Sequence, residues 1–385
     1  MIAKIMALLA LLALVACHEP KKAAPPRDLR IGAILPLTGP EAGYGVSCRS
    51  GIDLAIAEAN AEGGILGRKV RAFYLDSQGR PEDSALAAQR SITKDKVDFL
   101  IGEVSSAGAL AIAQIADRAK TPMISPAATS PLLTEAGPYV FRVAYADPFQ
   151  ALAMATFARD DLKLTRVAVL RDLSSEYSLR LAQAFGERFV AAGGVVPFDE
   201  AFDRVDASVF PVVEKLVAAE VEAVYLPLYE EEILRIVSAA SGMGARLRFL
   251  GSDGWDVATV VQLGPPIEGS YFTSHYSADE PRPEVQHFVK AFSEIYNEQP
   301  DAMAALGYDA VQFGLSAIRR EGSSDRARLA KALAAPPPYP GVTGDLTLDR
   351  RRQPQKAAVV LQIVGGRRKF IKRVAPDLAP SLPPP

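Results

Sequence analysis

The chain has 385 residues, 49% of them apolar and 23% charged, with a formal net charge of −2. That length suggests two or three packed domains, and a near-neutral balance excludes the basic field that a nucleic-acid binder needs. Only three histidines and two cysteines are present, which leaves few candidates for a metal site or a His-based triad, and no HExxH, CxxC, GxSxG or GxxxxGK(S/T) string occurs.

Met1 to Ala16 carries Lys4, an apolar run from Ile5 to Val15 and small residues before Cys17. This pattern is a secretory signal, too short to serve as a stable membrane span. Leu14, Val15, Ala16 and Cys17 resemble a bacterial lipobox, which implies cleavage before Cys17 and a lipid on its sulfur. One acyl chain binds a membrane marginally and several bind it stably, so the mature chain is expected to be tethered without spanning. His18 stands where Asp would signal inner-membrane retention, which points to the outer membrane; an ordinary cleaved signal peptide is the alternative reading. Glu19 to Asp28 is polar and proline-bearing, an extended tether.

Leu29 to Leu35 reads as the first strand, and Pro36 to Gly45 as a loop set by its glycines and prolines. A helix follows, with Cys48, Ile52, Ala55, Ile56 and Ala59 on one face. Cys48 is thus a buried small hydrophobe, without a disulfide partner if Cys17 is lipidated. Asn60 to Arg68 is a turn and Val70 to Asp76 the second strand. Val97 to Ile101 is a buried strand that Gly102 breaks, after which Ser105 and Ser106 open an Ala-rich helix. The free N–H groups and the dipole at such a helix start favour an anion. A serine there also serves as a cap, so local sequence leaves both roles open. Pro122 to Ser125 is the next strand, and Pro126 to Thr129 a polar loop at the same sheet edge, so two strand ends share one crevice.

Asp147 and Pro148 mark the first crossing between two lobes. A new βαβ series then begins, with strands at Arg166 to Leu170, Val195 to Phe198, Ala223 to Pro227 and near Phe249, separated by helices. Gly242 to Leu247 contains half of a dinucleotide fingerprint, but it follows a helix, and a helix-stopping glycine is the better reading. The strand near Ser270 to Thr273 leads back to the first lobe and to helices at Glu284 to Tyr296, Ala302 to Arg319 and Asp325 to Ala334. In the first of these, Val285, Phe288, Val289, Phe292 and Ile295 form the apolar stripe. His275 and His287 belong to no ligand-spaced cluster and read as surface residues. Gly341 to Asp349 is the final crossing, Ala357 to Val364 and Phe370 to Val374 are strands, and the proline-rich end is unfolded.

Several motifs occur together in one order: NAEGGILGR at Asn60 to Arg68, the strand and Ser105–Ser106 loop, TPMIS at Thr121 to Ser125, PAAT at Pro126 to Thr129, and GVTGD at Gly341 to Asp345. The set resembles the periplasmic binding proteins for branched-chain amino acids, type I solute-binding proteins of ABC importers, from about Leu29 to Val374. The resemblance implies an α/β fold of two Rossmann-like lobes with parallel-rich sheets, a Venus flytrap. Residues 29–147 and 276–344 would form the N-terminal lobe, 148–275 and 345–374 the C-terminal lobe, with 1–16 a signal, 17–28 a tether and 375–385 a tail.

On the same resemblance, ligand contacts fall on Tyr44, Ser105, Ser106, Ala127 and Thr129 of the first lobe and on Tyr177, Tyr229 and Asp253 of the second. Asp253 matches an acidic position that pairs with a ligand ammonium, commonly as Glu, while an N-cap for a helix near Val257 to Leu263 is its structural alternative. Trp255, the only tryptophan, either packs against a helix or lines the cleft. A donor-rich end at Ser105, Ser106, Ala127 and Thr129 and an acidic end at Asp253, on different lobes, would make ligand stabilise closure. The expected activity is the binding of a small amino-acid-like solute, without cofactor or metal or enzymatic chemistry, by a monomer that delivers it to an inner-membrane ABC permease. A sensor or scaffold lipoprotein on the same fold is the alternative.

Overall fold

The computed structural model describes residues 27–204 and 208–376. The expected signal peptide, Cys17, nearly all of the tether and most of the tail lie outside the described residues. No helix among the described residues is long and apolar enough to cross a membrane.

The chain opens with β1 (Leu29–Leu35), α1 (Ala42–Ala61), β2 (Val70–Asp76), α2 (Pro81–Arg90), β3 (Phe99–Gly102), α3 (Ser106–Arg118), β4 (Met123–Ser125), the short α4 (Leu132–Glu135) and β5 (Val140–Arg142). Its five strands pair in the order 2-1-3-4-5, all parallel. Parallel pairing requires a crossover between successive strands, and the helices supply it. Helices on both faces explain why β3 is a continuous apolar run instead of an alternating one: Phe99, Leu100 and Ile101 are all completely buried.

A second series comprises α5 (Asp147–Thr156), β6 (Val167–Asp172), α6 (Glu176–Ala191), β7 (Asp199–Phe202), α7 (Phe210–Ala218), β8 (Ala223–Leu226), α8 (Glu230–Gly242), β9 (Phe249–Gly251), α9 (Ala258–Val261) and β10 (Tyr271–Ser274). The chain then returns to the first sheet with α10 (Pro283–Tyr296), α11 (Ala302–Glu321) and α12 (Arg326–Ala334), followed by β11 (Tyr339–Gly341), β12 (Gly344–Leu348) and β13 (Pro354–Gln355). It closes with β14 (Ala358–Val364) and β15 (Arg367–Val374), which extend the second sheet to seven strands in the order 15-14-10-9-8-6-7. Only β14 and β15 join it antiparallel.

The packing of α11 on α1 ties the returning chain to the first lobe. The two backbones approach so closely that a Cβ at Gly51 would lie 1.8 Å from Ala304 O, a contact only glycine permits. The expected face of α1 is buried at Cys48, Ile52, Ala55 and Ala59. On α10, Val285, Phe288 and Phe292 are buried, each stabilising by about 1.5–3 kcal/mol relative to exposure. Ile295 is instead 57% exposed, because the stripe outlasts the surface it packs on.

Other boundaries differ for identifiable reasons. Helix α1 starts at Ala42, inside the expected loop, so Tyr44 is in its first turn. The expected strand at Val195 to Phe198 makes only one bridge, Val195 to Arg166, and the ladder with β6 forms at Asp199–Phe202. Likewise the second lobe was expected to resume at residue 345, yet Gln353 Nε2 donates to Pro131 O at 2.9 Å and Arg352 to Gly137 O at 3.0 Å. These bonds keep the hairpin beside the first sheet up to Gln355. One carboxyl and one ammonium group brace the return: Thr343 Oγ1 donates to Asp309 Oδ2 at 2.6 Å, and buried Lys356 Nζ to Thr343 Oγ1 at 2.5 Å.

Candidate functional site

Each sheet has one place where strand order reverses. In the first it lies between β1 and β3, in the second between β6 and β8. Loops from neighbouring strands diverge there and leave a crevice at the carboxyl ends. The two crevices face each other. A small cavity of about 20 Å³ lies between them, lined by Glu41, Tyr44, Val104, Ser105, Ala127, Thr129, Tyr177, Tyr229, Asp253, Gly254 and Met303. That is room for one or two waters, so the lobes stand close together.

Seven of the eight expected ligand contacts line this cavity. Ser106 does not: its hydroxyl accepts the Ser130 N–H at 3.3 Å and braces the loop that carries Ala127 and Thr129. Arg142, wholly buried, supports the same loop by donating to Ser130 O at 2.8 Å. Ser105 occupies the N-cap position of α3 but does not cap it through its side chain. Its Oγ donates to Glu103 Oε2 at 2.5 Å, and its N–H reaches the same oxygen at 3.3 Å. Ser77 Oγ holds the other oxygen, Oε1, at 2.5 Å. An internal carboxylate thus already sits where the sequence predicts an anion.

The opposite wall is built around Asp253, which lies in a single helical turn, Asp253–Trp255, after β9. Its Oδ1 accepts from Tyr177 Oη at 2.7 Å and Gln150 Nε2 at 3.0 Å, and its Oδ2 is 3.2 Å from His275 Nε2. Asp253 is not the N-cap of the next helix, whose cap is Val257. Burial alone would raise its pKa, but the bonds from His275, Tyr177 and Gln150 outweigh burial and hold it below the usual value. Burial pushes His275 down to about 4, so it is a neutral donor through Nε2 at neutral pH.

His275 corrects a sequence expectation. It follows β10 directly, is completely buried, and stacks on Tyr145 with ring centroids 3.7 Å apart. The strand end that carries it packs behind Asp253, away from solvent. His287 does lie at the surface, 3.0 Å from Glu58 Oε1. Trp255 is buried, donates Nε1–H to Leu226 O at 2.8 Å and is absent from the cavity wall, which settles it as a packing residue.

Three tyrosines join the walls. Tyr177 and Tyr229 stack at 4.6 Å, with planes 11° apart, and Tyr44 meets Tyr229 edge-on at 6.0 Å. Tyr44 belongs to the first lobe but bonds to the second, donating to Gly254 O at 2.6 Å and accepting the Glu230 N–H at 2.9 Å.

Sequence reasoning missed four buried acids and amides here: Glu41, Glu103, Asp147 and Gln150. Burial pushes Glu41 up to about 8, with the Glu103 charge adding. Burial also pushes Asp147 up to about 7, and the Asp253 charge adds to it. The signal in sequence was slight: Glu103 follows Gly102 at the end of β3, Glu41 and Asp147 each adjoin a proline, and Gln150, inside α5, carries none. Asp76, at the end of β2, accepts the Leu37 N–H at 2.9 Å and the Thr38 Oγ1–H at 2.6 Å, fixing the loop after β1.

Comparison with known proteins gives the same architecture. A Leu/Ile/Val-binding protein homolog of Brucella melitensis is 31% identical over 326 residues, covering 83% of this chain and 87% of that protein. A second, from Brucella abortus, is 28% identical over 340 residues, 87% of this chain and 90% of the relative. Among solved structures, a leucine binding protein from Thermotoga maritima aligns with a TM-score of 0.86 at 34% identity, covering 91% of this chain and all of that one. The branched-chain amino acid binding protein of Streptococcus pneumoniae, in complex with isoleucine, aligns at 0.85 and 28%, covering 90% and 99%. With residues 28–367 matching the family described as periplasmic binding protein, this chain belongs to that family, the extracytoplasmic solute-binding proteins of ABC transporters.

Proposed function

We propose that this protein is a lipid-anchored extracytoplasmic receptor that closes its two lobes on a small amino-acid-like solute and presents it to an ABC importer. The observation that carries the reading is Asp253: an ionised carboxylate held in place by Tyr177, Gln150 and His275, at the wall of a cavity shared by both lobes. A solute ammonium would pair with it, while the opposite wall, at Ser105, Ala127 and Thr129, would engage the other end. Neither wall alone suffices, so binding would favour the closed form through contacts made only there. The leucine and isoleucine named for similar structures support an amino-acid-like solute. Cys17 would carry the anchor.

The test is a thermal-shift screen of the purified chain over amino acids, amines and amides, followed by calorimetry on each hit. A bound solute raises the melting temperature by mass action. No shift with any amine-bearing solute would reject the reading. His18 beside Cys17 supports a second reading, a sensor in the outer membrane that regulates another envelope protein, since an outer-membrane tether complicates delivery to a permease. Deletion of the chain that leaves solute uptake intact but alters an envelope response would favour it.

A further inference from the structure

Glu41 is the group in the cleft that the solute-binding reading leaves without a role. It is 92% buried, by its 8% exposure, and lines the cavity beside Ser105. Its Oε2 has no hydrogen-bond partner. The nearby cation, Arg204, is taken by Glu232 Oε1 at 2.5 Å and lies outside the cavity wall. Nor is the α3 N-terminus free to offset a second anion, because Glu103 already holds the Ser105 N–H and hydroxyl. The cavity therefore has two carboxyls in its wall, Glu41 beside Ser105 and Asp253 beside Tyr177, and no lysine or arginine. An aliphatic side chain directed at Glu41 would leave its Oε2 unpaired, with only the Ser105 hydroxyl beside the carboxyl, which is unfavourable for either a charged or a neutral group. A second cationic nitrogen would satisfy it.

From this geometry we infer that the solute is a short amine or amino acid bearing a second cationic group, with Asp253 holding one ammonium and Glu41 the other. The inference rests on the solute-binding reading above and narrows its substrate class. The groups facing Glu41 are Glu103 from the end of β3, Arg204 from the loop after β7, Glu232 from α8 and the phenols of Tyr44 and Tyr229. Burial holds both phenols un-ionised, and Glu232 is paired with Arg204. Burial also raises Glu103, but Ser77 and Ser105 hold both of its oxygens. Asp147, pushed up to about 7 beside Asp253, titrates alike in the wild type and in Glu41→Gln. Glu41 is pushed up to about 8 and so changes charge near neutrality. Pairing with a cation requires its anionic form, so binding releases a proton below that value.

The test is calorimetry on the full chain with L-ornithine, 1,4-diaminobutane and L-leucine at pH 6 and pH 7.5. One or both diamino compounds should bind at least about tenfold tighter than leucine at pH 7.5, with an advantage that shrinks on acidification by up to about tenfold per pH unit. Glu41→Gln should remove that advantage and its pH dependence while leaving leucine binding equal or tighter. The wild-type pH comparison stands even if the variant folds poorly. Leucine binding tighter than both, lost in Asp253→Ala and indifferent to Glu41→Gln, would overturn this inference and leave the solute-binding reading intact. Binding of none of the three would overturn both.

Discussion

The Tyr44 hydroxyl donates to the Gly254 carbonyl at 2.6 Å across the gap between the lobes, and the same oxygen accepts the Glu230 N–H at 2.9 Å. One side chain of the first lobe thereby satisfies two backbone groups of the second, both next to cavity-lining residues. The bonds exist only when the lobes are close, so they belong to the free energy of closure.

Removing that hydroxyl tests the relationship. Tyr44→Phe keeps the ring against Tyr229 but strands the Gly254 carbonyl and the Glu230 N–H in the closed form. Unmet buried groups cost about 1–3 kcal/mol each, although the open form can hydrate them. We expect solute affinity to fall by about 1–2 kcal/mol, roughly five- to thirtyfold, with little change in melting temperature without solute. Calorimetry and small-angle scattering would check both, since the variant should also be more expanded at equal solute concentration.

Asp253 offers the strongest single effect. Asp253→Ala should weaken binding of an amine-bearing solute by about 2–5 kcal/mol, the range for truncating one partner of a buried charge pair. Asp253→Asn should lose nearly as much affinity but retain acceptors for Tyr177 and Gln150, and so melt closer to the wild type. Calorimetry with a confirmed solute showing a loss below about 0.5 kcal/mol for the alanine variant would remove Asp253 from the ammonium site.

The fold was more legible in the sequence than the electrostatics of the site. Strand β3 and the Ser105 turn are visible because an unbroken apolar run ending in glycine has few other readings, and Cys48 because it shares a helical face with Ile52 and Ala55. Seven cavity residues could be placed from motif order, since strand ends must face the crevice. Glu41, Asp147 and His275 could not. Their burial depends on contacts with other elements, such as the stacking of His275 on Tyr145 and the place of Glu41 beside Ser105, and a polar residue in a loop carries no periodicity. Ser106 shows the converse: position at a helix start did not distinguish a hydroxyl facing solute from one facing Ser130.

Asp147 should make stability depend on pH in a defined direction. Burial pushes its carboxyl up to about 7, with one oxygen unpaired, so the folded state holds a proton that the unfolded chain releases near pH 4. Folding then binds a proton between about pH 4 and 7, and the stabilisation it brings is lost as pH rises through 7. Asp147→Asn has no proton to lose. Relative to wild type it should gain stability as pH rises from 5 to 7.5, by up to about 1.4 kcal/mol per unit until the slope ends near 7. Melting curves of the two proteins at pH 5, 6, 7 and 8 would show the difference; a constant offset would mean that Asp147 is ionised throughout.

Gly254 is fixed by close approach. A Cβ there would lie 2.6 Å from Leu228 O and 3.2 Å from Tyr177 Oη, both part of the wall that carries Tyr229 and Asp253. Gly254→Ala must displace the turn or the tyrosine, and overpacking of this kind costs about 1–3 kcal/mol. The displaced turn would also carry Asp253 away from Gln150 and His275, so binding should weaken by more than the loss of stability alone explains. Gly242, the last residue of α8, is the control: nothing lies within 4 Å of its Cβ position. Gly242→Ala should leave binding unchanged and raise stability by about 0.4–1 kcal/mol through the unfolded chain. Paired melting and calorimetric measurements separate the two, and equal behaviour of the variants would show that the turn after β9 tolerates a side chain.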